Sequence, residues 1–124
     1  MPILNVQIMQ GHSAAQKTSL LKNCSQAVVD SIAAPLPSVR IVLDEAAPEH
    51  VIVAGEIGKA MALVLVRLIE GRTADKKAAL IAALNQAVQE SIGISGQDVR
   101  VIITDVPKTD MGVAGGVTAL AAGR

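Results

Sequence analysis

The chain is an internal duplication, and no other feature constrains its fold as much. Shifted by 60 residues, the sequence lies over itself without a gap. MPILNVQIMQGHSAAQKTSLLKNCSQAVVDSI falls over MALVLVRLIEGRTADKKAALIAALNQAVQESI, and SVRIVLDEAAPEHVIVAG over DVRVIITDVPKTDMGVAG. Matched identities include Val6/Val66, Gly11/Gly71, Lys17/Lys77, Leu20/Leu80, Gln26/Gln86, Ser31/Ser91, Ile32/Ile92 and Arg40/Arg100. Each half, 1–60 and 61–124, is therefore one supersecondary unit, and the two are expected to fuse into one domain around a shared core.

Residues 3–9 (ILNVQIM) and 62–69 (ALVLVRLI) read as strands, each followed by a turn glycine, Gly11 or Gly71. Ser13 is a candidate helix N-cap, and Gln16 three residues on completes a capping-box pattern. Thr73 takes the same place in the second half, with Asp75 favourably set in the first turn. Helices are expected over 14–32 and 74–92. Leu20, Leu21, Cys24, Ala27, Val28, Ser31 and Ile32 form one helical stripe that Leu80, Ile81, Leu84, Ala87, Val88 and Ile92 repeat. Second strands follow at 38–44 and 98–104. Short apolar pieces at 51–53 and 111–113, ending in glycines, suggest a hairpin or bulge.

Strand, crossover helix and strand favour a parallel pair. Two copies predict an α/β (α+β) fold in which tandem β-α-β units form a four-stranded sheet with two helices on one face. The strand at 62–69 does not alternate, since Leu63, Val64, Leu65 and Val66 are all apolar. Both its faces should then be buried. Helices cover one face only, which predicts a homo-oligomer.

Composition narrows the function classes. Of 124 residues, 51% are hydrophobic, and 11 Lys and Arg balance 11 Asp and Glu. There is no Phe, Tyr or Trp to stack on bases, so nucleic acid is not expected as a partner. Small core side chains again favour burial in an oligomer. Apolar runs fall short of the roughly 20 residues that span a bilayer, and no basic and apolar leader opens the chain. A soluble, cytoplasmic protein is expected, with no membrane association.

The N-terminal MPIL, the strand end and turn QIMQGHSAAQK, the arginine strand LPSVRIVLDE and the late HVIVAGE together resemble the 4-oxalocrotonate tautomerase family, in a fused tandem-repeat form. The resemblance covers essentially the whole chain. It implies a cofactor-free tautomerase or isomerase acting on a small carboxylate, a 2-hydroxy-dienoate or 2-oxo acid. It implies removal of Met1 and use of the Pro2 nitrogen as the base that moves a proton between enol and keto isomers. It also implies three chains reproducing a six-unit assembly, a homotrimer. Related superfamily dehalogenases and decarboxylases are an alternative, although the water-activating glutamate of the dehalogenases has no match near Val53. A non-catalytic ferredoxin-like binding or assembly module is another, because fold alone does not define activity.

By the same resemblance, Arg40 or its repeat partner Arg100 binds substrate or polarises its carbonyl. An arginine fork suits a carboxylate and stays charged. Arg72 fits the carboxylate-binding position after the turn glycine, where the first half carries His12 instead. Val51, with Met111 at the repeated position, stands where the family tends to place an aromatic. The chemistry has independent physical grounds. An amine in an apolar site near arginines has a depressed pKa, which keeps its lone pair free to act as a base. Ala62 aligns with Pro2 but is internal, so the second half lacks that base. Cys24 reads as core, His50 as a loop residue, and the two histidines make no metal set. Glycines 112, 115 and 116 are not placed as a phosphate cradle.

Overall fold

A computed structural model describes residues 1–124. Strand β1 (Ile3–Met9) leads to helix α1 (Ala14–Ile32), then β2 (Arg40–Ala46) and a hairpin of β3 (Ile52–Val53) and β4 (Glu56–Ile57). The second half repeats this as β5 (Ala62–Ile69), α2 (Ala74–Ile92), β6 (Val99–Val106) and the hairpin β7 (Gly112–Val113) and β8 (Val117–Thr118). The main sheet runs β2-β1-β5-β6. Its outer pairs are parallel and its central β1–β5 pair is antiparallel.

Both helices begin and end where the residue pattern places them, and their caps explain the starts. Ser13 Oγ accepts the Gln16 N–H at 3.1 Å, and Gln16 Oε1 accepts the Ser13 N–H at 2.9 Å. Thr73 Oγ1 accepts the Lys76 N–H at 3.2 Å, and no reciprocal bond forms because position 76 is a lysine. Two ion pairs obey the repeat: Lys17–Glu45 at 3.1 Å and Lys77–Asp105 at 2.6 Å tie each helix to the second strand of its own half.

The second strands start later than the pattern predicts. Leu36–Ser38 is a short 3-10 turn, because Pro35 and Pro37 fix φ and lack N–H donors for a sheet. Gly96–Asp98 is its counterpart, with Ser95 Oγ accepting the Gln97 N–H at 3.1 Å. The glycine-ended apolar pieces do form hairpins. Ala54 and Gly55 turn the first with φ of 52° and 83°, the left-handed pair a two-residue hairpin needs.

One face of the sheet packs on the helices. Leu4, Val6, Ile8, Val64, Val66 and Leu68 meet Leu20, Cys24, Val28, Leu80, Leu84 and Val88, all essentially without solvent exposure. The other face is covered within the protomer only at one end, where Ile3 and Ile69 meet Met111, Val113 and Ala119. Leu63 and Leu65 are half-buried there, Arg67 is exposed, and Val42 and Ile102 on the edge strands are 56% and 52% exposed. Strand β5 is thus apolar on both faces, and only its inner face is closed along its length by this chain.

Candidate active site

The antiparallel register of β1 and β5 builds the site. Ile3 lies opposite Arg67, so the start of the chain meets the end of β5 and the turn beyond it. Pro2 is buried, and its carbonyl accepts the Arg40 N–H at 3.1 Å, anchoring it to the edge strand. A cavity of about 750 Å³ opens beside Met1 and Pro2. One wall is the end of α1 and the proline turn, including Ile32, Pro35 and Pro37. The opposite wall is the β5–α2 turn, Ile69 to Arg72.

Arg72 comes into the cavity because Gly71 takes φ 122°, a left-of-ordinary conformation that glycine tolerates. Its Nη1 donates to the Ile69 carbonyl at 3.3 Å. Lys76, Lys108 and Arg124 also line the space, against a single carboxylate, Glu70. Four cations facing one anion make the cavity attractive to a small carboxylate. Glu70 Oε1 accepts the Lys108 N–H at 3.3 Å, which ties the turn to the loop after β6. Met1 and Ile69, which line the cavity, belong to an apolar cluster with Ile3, Met111, Val113 and Ala119.

The terminal amine, carried by Met1, is held below its ordinary pKa. Burial is the largest cause, and the charges of Arg72 and then Arg124 add to it. Each disfavours the ammonium and leaves a lone pair available nearer neutral pH.

The other singled-out residues lie elsewhere in the protomer. Arg40 and Arg100 project from the outer sheet face and are exposed. Arg100 Nη1 donates to the Gln97 and Val99 carbonyls at 2.8 and 2.9 Å. His12 lines a separate cavity of about 240 Å³ with Met9, Gln10, Met61 and Ile94. That cavity is the repeat image of the Pro2 site: the turn after β1 faces the start of β5, with His12 for Arg72 and internal Met61 for the terminus. Val51 is buried in the first hairpin region, whereas its repeat partner Met111 lies in the cluster against Met1 and Ile3. Cys24 sits in the core, its thiol pushed up to about 12 by burial. His50 is exposed, and no group of three or more His, Cys, Asp or Glu side chains is placed to hold a metal ion.

Sequence reasoning missed Lys76, Lys108 and Arg124. The first two sit among ordinary surface lysines of a helix and a loop, and Arg124 has no repeat counterpart, so no pattern singles them out.

The doubled β-α-β sheet thus carries a buried proline beside a cationic cavity. The chain belongs to the tautomerase enzyme family: the family profile matches twice, over residues 2–61 and 63–121. It is a tautomerase, which removes the binding-module alternative. Among relatives, a probable tautomerase of Ralstonia nicotianae is 53% identical over 55 residues, 44% of this chain and 79% of that protein. The 2-hydroxymuconate tautomerase of Pseudomonas putida is 40% identical over 57 residues, 46% of this chain and 90% of that one. Among solved structures, a fused 4-OT symmetric trimer is 66% identical, with a TM-score of 0.97 over 98% of this chain and 99% of that chain. A native fused 4-OT is 38% identical, with a TM-score of 0.93 over the same shares. The single-repeat relatives each match half of the chain, and the fused structures match all of it.

Proposed function

We propose that this tautomerase converts small enol acids of the 2-hydroxy-dienoate class to their keto isomers, with Pro2 as the base once Met1 is removed. The observation that carries this reading is the shared cavity of Pro2 and Arg72, walled by prolines and apolar side chains and rich in cations. The secondary amine accepts the enol hydroxyl proton, the double bond shifts, and the proton returns at carbon. Nothing is gained or lost, so the reaction is a net isomerisation. Arg72 binds the carboxylate and stabilises the charge that grows on oxygen as the enolate forms. Burial and the neighbouring cations lower the pKa of an amine at this end of the chain, and the same two causes favour the free base of the proline amine.

The assembly is a homotrimer. Its support is the trimeric state of the 66% identical fused 4-OT and of a second at 40% identity, together with the open apolar sheet face. Arg40 and Arg100 lie on that face, so a covering protomer receives them, and Arg40 completes the carbonyl-polarising part of the site across the boundary. His12 and Val51 belong to the repeat-related position, which has no base.

Intact mass of purified protein and absorbance-monitored ketonisation of 2-hydroxymuconate test the reading together. The expected results are a chain lacking Met1 and a rate that falls at least about a hundredfold in Pro2→Ala, the scale of a lost general base. A fully retained Met1 with undiminished activity, or a Pro2→Ala variant as fast as the wild type, overturns it.

A further inference from the structure

We propose that Arg124 is a second substrate-binding arginine of the Pro2 cavity, acting beside Arg72 on the anion that the site takes. The inference rests on the reading of that site given above and adds a residue for which the repeat offers no template.

Arg124 lines the same cavity as Pro2 and Arg72. The backbone that carries it is anchored. Its N–H donates to the Ala119 carbonyl at 2.9 Å, the Gly123 N–H to Leu120 at 3.2 Å, and the Leu120 N–H to Lys108 at 3.2 Å. Ala119 is fully buried, and its own N–H donates to Met111 at 2.8 Å, within the apolar cluster that supports Met1 and Ile3. Gly123 adopts φ 72°, which lets the chain turn back toward the cavity.

The guanidinium has no partner of its own. The two ion pairs of the protein are Lys17–Glu45 and Lys77–Asp105, and neither involves Arg124. Its charge is nevertheless felt at the terminal amine, after burial and Arg72. An unpaired guanidinium held beside a partly apolar cavity is suited to a carboxylate, which it can grip through two parallel N–H donors. The sites of the two halves differ accordingly. Arg124 has no counterpart in the first half, and His12 stands opposite Arg72. Both arginines thus belong to the Pro2 side alone.

The test uses full-length, Met1-free protein carrying Arg124→Ala or Arg124→Lys. Steady-state ketonisation of 2-hydroxymuconate gives kcat and KM, and calorimetry gives the affinity for succinate, an unreactive dicarboxylate. Arg124→Ala is expected to raise KM and the succinate Kd roughly tenfold, the scale of one charged hydrogen-bonded contact. The acid limb of the kcat/KM profile should also move to higher pH, and Arg124→Lys should recover part of each effect. Unchanged KM, succinate Kd and acid limb in Arg124→Ala, with an unaltered thermal melt, overturn the inference and leave the Pro2 reading intact. If wild-type ketonisation is absent, the Pro2 reading fails separately. The succinate comparison then still decides Arg124: a tenfold loss upholds its anion-binding role, and no loss refutes it.

Discussion

Two serines related by the repeat, Ser31 and Ser91, have different surroundings, and their substitution should move stability in opposite directions. Ser91 Oγ accepts the Asn23 Nδ2–H at 2.9 Å between the helices. The repeat image of that bond would join Ser31 to residue 83. Position 83 is alanine, and Ser31 Oγ is buried with no hydrogen-bond partner. Ser→Ala gains helix propensity at both sites, about 0.5 kcal/mol. At Ser31 it also removes an unpaired buried hydroxyl, a relief of about 1 kcal/mol, whereas at Ser91 it loses a bond worth about 1 kcal/mol. Ser31→Ala should therefore stabilise by about 1.5 kcal/mol and Ser91→Ala destabilise by about 0.5. The common propensity gain cancels in the comparison, leaving a gap of about 2 kcal/mol. For a chain of this size that is a difference in Tm of about 8 °C. Thermal melts at one fixed protein concentration measure it, since association adds to apparent stability. Ala83→Asn offers a third check: it supplies the missing donor at Ser31, and its gain is partly offset by the poorer helix propensity of asparagine. Equal shifts in Ser31→Ala and Ser91→Ala would refute the reasoning, because the two environments would then be equivalent.

Arg72→Ala removes a charge that lowers the terminal amine's pKa. By the same physics the proline amine of the Met1-free chain should lose free base near neutrality, moving the acid limb of kcat/KM to higher pH in a pH-rate series. Cys24, with its thiol pushed up to about 12 and fully buried, should resist iodoacetamide at pH 8 in the folded protein and react only after unfolding by guanidinium. Cys24→Ser places a hydroxyl in the same apolar core and should cost about 1–3 kcal/mol in chemical denaturation. Val42→Glu combined with Ile102→Glu puts carboxylates on the open sheet face. Sedimentation should show the assembly shifted toward monomer, while each protomer keeps its far-UV circular dichroism.

Much of the architecture was legible because it is written in local terms and written twice. Ser13 with Gln16, and Thr73, mark helix starts that depend only on residues three apart, so the helices fall where the pattern puts them. Short runs of aliphatic and β-branched residues mark the strands. The beginnings of β2 and β6 were misplaced by one or two residues because the preceding 3-10 turns depend on how Pro35, Pro37 and Ser95 meet the end of each helix. Pro2 stood out for a reason that needed no coordinates: β5 begins Met61-Ala62, so the same strand forms without a proline.

By itself, then, the sequence determined the repeat, the β-α-β unit, the helix limits and the singularity of Pro2, all properties of neighbouring residues or of the repeat register. Only the tertiary structure decided which arginines share a cavity with the proline within the protomer. Because β1 and β5 pair antiparallel, the head of each strand abuts the tail of the other. Pro2 accordingly faces the Ile69–Arg72 turn of the opposite half, and Met61 faces His12. The same crossing puts Met111 rather than Val51 beneath the amino terminus. It also gathers Lys76, Lys108 and Arg124 from three separate segments around one cavity. Charges that share no spacing along the chain become a site only when the fold closes the distance between them.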